Sequence, residues 1–459
     1  MHFDYIDLIM NPFVLMFIAV TTGLGFGKIK FGRFSFESSG TLFTGLIIGW
    51  LVYQFGSRVI NQGNNVTGYN AAQEMFNNGI IHSYFFDISL IFFVAAVGLL
   101  AAKNIEVVVR KYGKTFIVLG ILIPLIGAGA TYGATALIKD TNTYEVAGLY
   151  TGALTSSPGL GSALETAEDE AIKRVNEYSS IDVNEKEKIL DIIDDSTLTV
   201  ENTKTLSAQQ EKTYVNNAVA GVGIGHAIGY PFGVIIVIFA MNFFPSVFKM
   251  DLDEERRRYQ KDMVHARRII KVKEIPTTSF NIISFTITCA IGYLVGNIEI
   301  YLGSLGYFCL GSTGGVLITG LFLGYIGKIG SLSFRMDPKT LSIIRELSLS
   351  FFLAIVGLKY GFKTFDALFG SGLVLALTSL FIGIIAMLIG FIIGRYVFRL
   401  NWIILSGVIC GGMTSTPGLG AAIDALDSDE PASGYGATYP FALLGMIIFT
   451  IVLHKLPLL

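Results

Sequence analysis

The sequence predicts an all-α polytopic membrane protein built from two related halves. Three observations lead there: an apolar composition, a series of long apolar stretches, and a seven-residue motif that occurs twice. Of 459 residues, 52% are apolar and 15% charged, against ~25% charged in an ordinary soluble protein. The mean hydropathy is +0.61. A soluble domain of that make-up could not cover its own core with polar side chains. The formal net charge of −2 excludes a broadly basic nucleic-acid binder. Cys289, Cys309 and Cys410 lie in apolar stretches without metal-ligand spacing, and an odd count gives no disulfide framework. The first residues, Met1-His2-Phe3-Asp4, lack the basic start of a cleavable signal, so 8–27 reads as a retained span.

The apolar stretches fall at 8–27, 36–53, 84–102, 116–138, 146–164 and 218–244, then at 280–298, 307–329, 347–358, 372–397, 402–425 and 439–456. Most approach the ~20 residues a crossing helix needs. Unpaired backbone cannot sit in hydrocarbon, and continuous apolar runs do not alternate as barrel strands do. Two polar stretches stand apart. Residues 166–213 are acidic and read as a solvated external loop within a first membrane repeat, 1–247. Residues 248–277 are basic, with Arg256-Arg257-Arg258, Arg267-Arg268, Lys271 and Lys273, and read as a short helical cytoplasmic linker. A second membrane repeat covers 278–459.

The duplication is read from order and spacing. Thr155-Ser156-Ser157-Pro158-Gly159-Leu160-Gly161 recurs 259 residues later as Thr414-Ser415-Thr416-Pro417-Gly418-Leu419-Gly420. The same offset relates 89–99 to 348–358. Thr44–Gly49 resembles Thr319–Gly324, and Tyr230-Pro231-Phe232 resembles Tyr439-Pro440-Phe441. Four matches in one order imply duplication, the usual build of secondary transporters.

Lys and Arg choose the orientation, because they favour the cytoplasmic side. If each motif segment is a re-entrant hairpin, each half has about five transmembrane helices and the second half is inverted. The cytoplasmic side then holds 22 of the 33 Lys and Arg. A parallel arrangement forces either 103–114 or the basic linker outside. Two half-helices of about 11 residues, ~16 Å each, also suit a segment that turns back at the midplane.

Thr-Ser-x-Pro-Gly breaks a helix: Pro removes a donor, Gly admits φ > 0, and Thr and Ser are N-cap residues. The second half-helix aims its N–H groups and positive dipole end at the break, where a carboxylate can bind without a cationic side chain. Thr155, Ser156, Ser157, Pro158 and Gly159, with Thr414, Ser415, Thr416, Pro417 and Gly418, are therefore the expected substrate-binding residues. Tyr230 and Tyr439, each after a Gly-rich stretch, are expected beside them on broken helices. The alternative reading of these segments is a packing kink between closely approaching helices. His226 reads as a hydrogen-bonded structural histidine or a proton site. Arg345 reads as an interfacial anchor, and the repeat equivalents Glu165 and Asp424 as hairpin-rim or cation-binding carboxylates.

The duplicated Thr-Ser-x-Pro-Gly-Leu-Gly segments, each followed by Tyr-Pro-Phe, resemble the aspartate–alanine exchanger family of bacterial membrane transporters. The resemblance covers nearly all of both halves. It implies a multi-pass protein of the bacterial inner membrane that exchanges amino acids or small dicarboxylates. Many members carry soluble regulatory domains between their halves, where this chain has only the linker. The expected function is thus an antiporter for a small carboxylate, elevator-like and homodimeric in the lipid bilayer, with no cofactor. The alternative is a sodium- or proton-coupled carboxylate symporter. A channel would need a straight polar pore. An enzyme is not expected, because no His-Glu-x-x-His or Gly-x-Ser-x-Gly set is present.

Overall fold

The computed structural model describes residues 8–30, 36–64, 66–103, 105–136, 143–270, 275–301, 307–308, 310–369 and 372–455. Cys309, Lys271 and Lys273 lie outside them, as do the side chains of Ser157 and Pro158. The described residues form seventeen α-helices and two small β-hairpins. In chain order the helices are α1 (Pro12–Gly27), α2 (Gly40–Asn61), α3 (Tyr69–Asn78), α4 (Ser83–Ala101), α5 (Ile105–Thr135), α6 (Thr143–Ala153), α7 (Ser157–Glu177), α8 (Val183–Ile193) and α9 (Ala208–Val247). After them come α10 (Leu252–Ile270), α11 (Ile282–Gly296), α12 (Gly311–Ile326), α13 (Pro338–Phe369), α14 (Leu373–Ile392), α15 (Trp402–Gly412), α16 (Thr416–Leu426) and α17 (Pro431–Lys455). Seven of them, α2, α4, α5, α9, α13, α14 and α17, are long and apolar enough to cross a membrane. The helices α1, α11, α12 and α15 are apolar but shorter. Each apolar stretch of the sequence thus becomes one helix, except the two motif stretches, which become α6–α7 and α15–α16.

Packing divides the helices into two modules. A frame contains α1, α2, α4, α11, α12 and α13, with α3 at its edge. A motif module contains α5 to α9 and α14 to α17. Each half supplies its first three spans to the frame and the rest to the motif module. The halves also exchange partners. Helix α2 packs on α13 as α12 packs on α4, and α9 packs on α14 and α16 as α17 packs on α5 and α7.

Glycine sets these approaches. A Cβ on Gly45 would fall 2.6 Å from the Ala354 carbonyl oxygen, and one on Gly357 2.4 Å from that of Leu42. Their repeat equivalents, Gly320 and Gly98, meet in the same way between α12 and α4. A Cβ on Gly148 would lie 2.1 Å from the Val222 oxygen, and one on its equivalent Gly407 1.8 Å from the Pro431 oxygen. Helices without a hydrophobic drive toward each other gain contact through such small residues.

The acidic stretch is not an open loop. Helix α7 continues to Glu177, α8 follows, and the chain enters α9 at Ala208 through a capping box of Ser207 and Gln210. Tyr144, Ala167, Ala171, Tyr178, Ile189 and Tyr214 form a separate buried cluster beneath it. The small apolar residues are spaced at helical intervals inside a charged sequence, so the buried stripe is narrow, and composition alone reads as a loop.

The linker is helical as its charges and spacing suggest, and it docks on the motif module. Arg256 donates to the Leu426 carbonyl at 2.6 Å, and the Tyr259 hydroxyl donates to Glu430 at 2.8 Å. Glu255, 5% exposed, takes two hydrogen bonds from Arg395 (2.6 and 3.0 Å) and one from the Trp402 N–H at 2.8 Å. Burial pushes the Glu255 carboxyl up, but Arg395 and the Trp402 N–H outweigh it and hold the group below the usual carboxylate range. Removing one member of a buried pair strands the other, so Glu255→Gln should destabilise the protein by about 2 kcal/mol, read as a lower Tm in detergent at pH 7. A depressed carboxyl pKa stabilises at neutral pH and loses that contribution as pH falls through it. The gap between wild type and variant should therefore close below about pH 4.

Candidate functional site

Each motif stops one helix and starts another within three residues. At the first break Thr155 takes a left-handed conformation, φ 54°. Its N–H bonds the Gly152 carbonyl at 2.8 Å, and the Ser156 N–H bonds the Thr151 carbonyl at 2.8 Å. This nested pair closes a helix C-terminus, a position usually held by Gly. Ser156 then caps α7, its Oγ accepting from the Gly159 N–H at 3.1 Å, with Pro158 in the first turn. The second break repeats each step. Thr414 has φ 52°, its N–H reaches the Gly411 carbonyl at 3.1 Å, and the Ser415 N–H reaches the Cys410 carbonyl at 2.8 Å. The Ser415 Oγ accepts from the Gly418 N–H at 3.2 Å, with Pro417 in the first turn of α16. A Cβ on Gly418 would lie 2.7 Å from Val237, which fixes Gly there.

The two breaks touch. The Thr155 hydroxyl donates to the Met413 carbonyl at 3.4 Å, and the Thr414 hydroxyl donates to the Leu154 carbonyl at 3.2 Å. Thr155 and Thr414 are repeat equivalents, as are Leu154 and Met413, so each break closes the other by the same bond. A left-handed β-branched residue costs of order 1–3 kcal/mol and persists where its surroundings over-determine it. Both copies retain that cost.

Aromatic side chains lead from the breaks to the frame. The Thr416 hydroxyl lies 3.2 Å from the Tyr435 hydroxyl, and Tyr435 stacks on Tyr439 with centroids 5.3 Å apart. Tyr439 abuts Gly314 of α12. From the first break, Thr151 shares a 2.9 Å hydrogen bond with His226 Nδ1. The His226 ring lies 5.4 Å from Tyr230, and Tyr230 lies 5.1 Å from Tyr360 of α13. The Tyr-Pro-Phe segments do not break their helices: α9 and α17 run through Pro231 and Pro440. A Pro costs one hydrogen bond and a bend, and packing on both sides carries the helix past it.

Thr155, Ser156, Gly159, Thr414, Ser415, Thr416, Pro417 and Gly418 thus converge on one buried place, with Tyr230 and Tyr439 on its frame side, 4% and 2% exposed. The caps tie the Gly159 and Gly418 N–H groups to the serines, so those donors are already engaged in this conformation. Sequence equivalence does not extend to the carboxylates. Glu165 is exposed. Asp424 lies beside the short turn at Ser38 that leads into α2, and its Oδ2 is sealed without a partner. Arg345 pairs with Asp429 across the module boundary. Sequence reasoning missed Tyr360, Tyr435 and Thr151. Tyr435 stands four residues before Tyr439 on the same helix face, a spacing that could have revealed it.

Thr155→Ala and Thr414→Ala should each lower stability by about 1 kcal/mol, the worth of one hydrogen bond. Because either loss loosens the contact that holds the other, the double variant should cost less than the two singles combined, by at least about 0.5 kcal/mol in thermal unfolding. Thr155→Ser, which keeps the hydroxyl, should stay near wild type.

Comparison with known proteins points to a family of membrane permeases. The family model Asp-Al_Ex, described as a predicted permease membrane region, matches residues 15–246 and 284–455. The stretch between the two matches contains the linker helix. An uncharacterized transporter of Desulfotalea psychrophila is 24% identical over 97% of this chain and 97% of its own length. Uncharacterized transporters of Bacteroides thetaiotaomicron and Bacteroides fragilis are 37% and 39% identical over 40% and 39% of this chain, and those alignments span 34% and 33% of the relatives' lengths. The chain therefore belongs to the aspartate–alanine exchanger family, the one its duplicated motifs resemble, as a multi-pass membrane transporter.

Proposed function

We propose that this transporter exchanges small carboxylates across the bacterial inner membrane by alternating access, with the substrate held between the two breaks. The substrate class, an amino acid such as aspartate or alanine or a dicarboxylate, comes from the family resemblance. The observation that carries the mechanism is the reciprocal contact of two helix breaks at one buried place. Each break aims a helix N-terminus and hydroxyls at it, and such ends attract carboxylates. The exchange of partners between halves, the tip-to-tip breaks and the Lys/Arg distribution all favour inverted repeats with re-entrant α6–α7 and α15–α16. The division into frame and motif module favours an elevator, in which the motif module slides along a frame that forms a homodimer. Exposed apolar faces such as Phe17, Ile47 and Leu51 on α1 and α2 and Ile283 and Leu294 on α11 suit lipid or a second copy.

Counterflow in proteoliposomes tests the activity. Labelled L-aspartate, L-alanine, succinate or malate should accumulate only when the same unlabelled compound is inside, and without sodium. Uptake into empty vesicles that requires sodium would establish the symporter instead, and a panel in which nothing moves would remove the carboxylate reading. Ser156→Ala and Ser415→Ala should weaken binding by roughly one to two decades while backbone donors keep it measurable. For topology, tags near Asp191 and near Arg257 should report opposite sides, with Arg257 cytoplasmic; the same side for both would overturn inversion.

A further inference from the structure

The breaks carry no cationic side chain, yet a basic pair stands where the aromatic path from the first break reaches the frame. Lys359 and Lys363 are exposed and lie one turn apart on α13. The Lys359 ammonium sits 5.7 Å from the ring centre of Tyr360 and 5.7 Å from that of Phe86. Tyr360 faces Tyr230 of the motif module, and Tyr230 stands beside His226, which bonds Thr151 just before the first break. Asp87 of α4 is the acidic group that acts on Lys359. Among the described residues no carboxylate comes within ion-pairing distance of either lysine. Two like charges at this spacing repel each other, and charges placed inside a spanning helix are costly. An anion between them relieves both.

The pair has no counterpart in the other half. At the 259-residue offset, Lys359 corresponds to Leu100 and Lys363 to Asn104. Duplication alone therefore does not account for the pair.

We propose that Lys359 and Lys363 form an anion-selecting mouth on one side of the substrate site, which favours dianionic carboxylates over zwitterionic amino acids. This inference rests on the carboxylate-exchange reading and adds charge selectivity to it. The lysines act as positioning residues at the mouth: they draw the dianion in ahead of its capture at the breaks. The competing outcome is that they anchor the helix end to lipid phosphate by reaching up to the interface.

Initial uptake of labelled succinate and L-alanine by wild type, Lys359→Gln, Lys363→Gln and Lys359→Arg decides between these. Removing one attracting charge from the mouth weakens capture of a dianion more than that of a zwitterion, by about tenfold at most for a single charge. Lys359→Gln should therefore raise the succinate KM several-fold to tenfold, at least threefold more than it moves the alanine KM, and Lys359→Arg should restore most of it. Equal shifts for both substrates, or none, would make the lysines lipid anchors. If wild type moves neither compound, the exchange reading fails separately, and reagent labelling of the purified protein decides the inference. Lys359 should then react several-fold faster with sulfosuccinimidyl acetate, which is anionic, than with the uncharged succinimidyl acetate, and Lys363→Gln should erase most of that preference. Equal rates for the two reagents, or a preference indifferent to Lys363, would overturn it.

Discussion

Buried away from water, a chain that leaves the helix must find a partner for every backbone group it frees. The rest of this structure is arranged around meeting that demand at two points at once. Each motif satisfies the end of one helix with a nested pair of backbone bonds and the start of the next with a serine cap. The carbonyls of Leu154 and Met413 each accept the threonine hydroxyl of the opposite break. Neither break is complete alone. The interdigitated packing of the halves, set by glycine at equivalent positions, brings the two breaks within reach of each other.

The symmetry that closes the breaks is not maintained at their rims. On one side α7 runs on into a helical cap with a buried cluster of its own. On the other, α16 ends at Leu426 with Asp427 in a left-handed turn, and the linker helix grips that end through Arg256. Asp424 is sealed and Arg345 pairs with Asp429 across the module boundary, whereas Glu165 stays in the open. Duplicated segments thus share one local geometry while their surroundings give the two ends of the site different polar contacts.

Much of this was legible because it follows from local chemistry. Apolar length located the helices, and Thr-Ser-x-Pro-Gly located both breaks with their caps, since each residue in the motif has one conformational use. The offset of 259 residues related the halves, and the glycine contacts show why matching positions are small. Three features could not be read. A Pro inside α9 or α17 looks the same in sequence whether the helix bends or stops; neighbours decide. The cap is built on Ala and Tyr within a charged stretch, so its buried stripe vanishes in the average. The approach of Tyr360 to Tyr230 joins residues 130 positions apart on different modules, and no periodicity records such a meeting.

Helix α9 has 40 residues, about 60 Å of continuous helix against a hydrocarbon layer of about 30 Å. It is therefore twice as long as a crossing requires. It packs on α6, α7 and α16 beside both breaks, joins the acidic cap at one end and runs into the docked linker at the other. Cap, breaks and linker are thereby strung along one helix, which Pro231 and Pro245 interrupt without ending it. A change in the course of α9 beside the breaks therefore also changes how the polar cap and the linker sit against the rest of the chain.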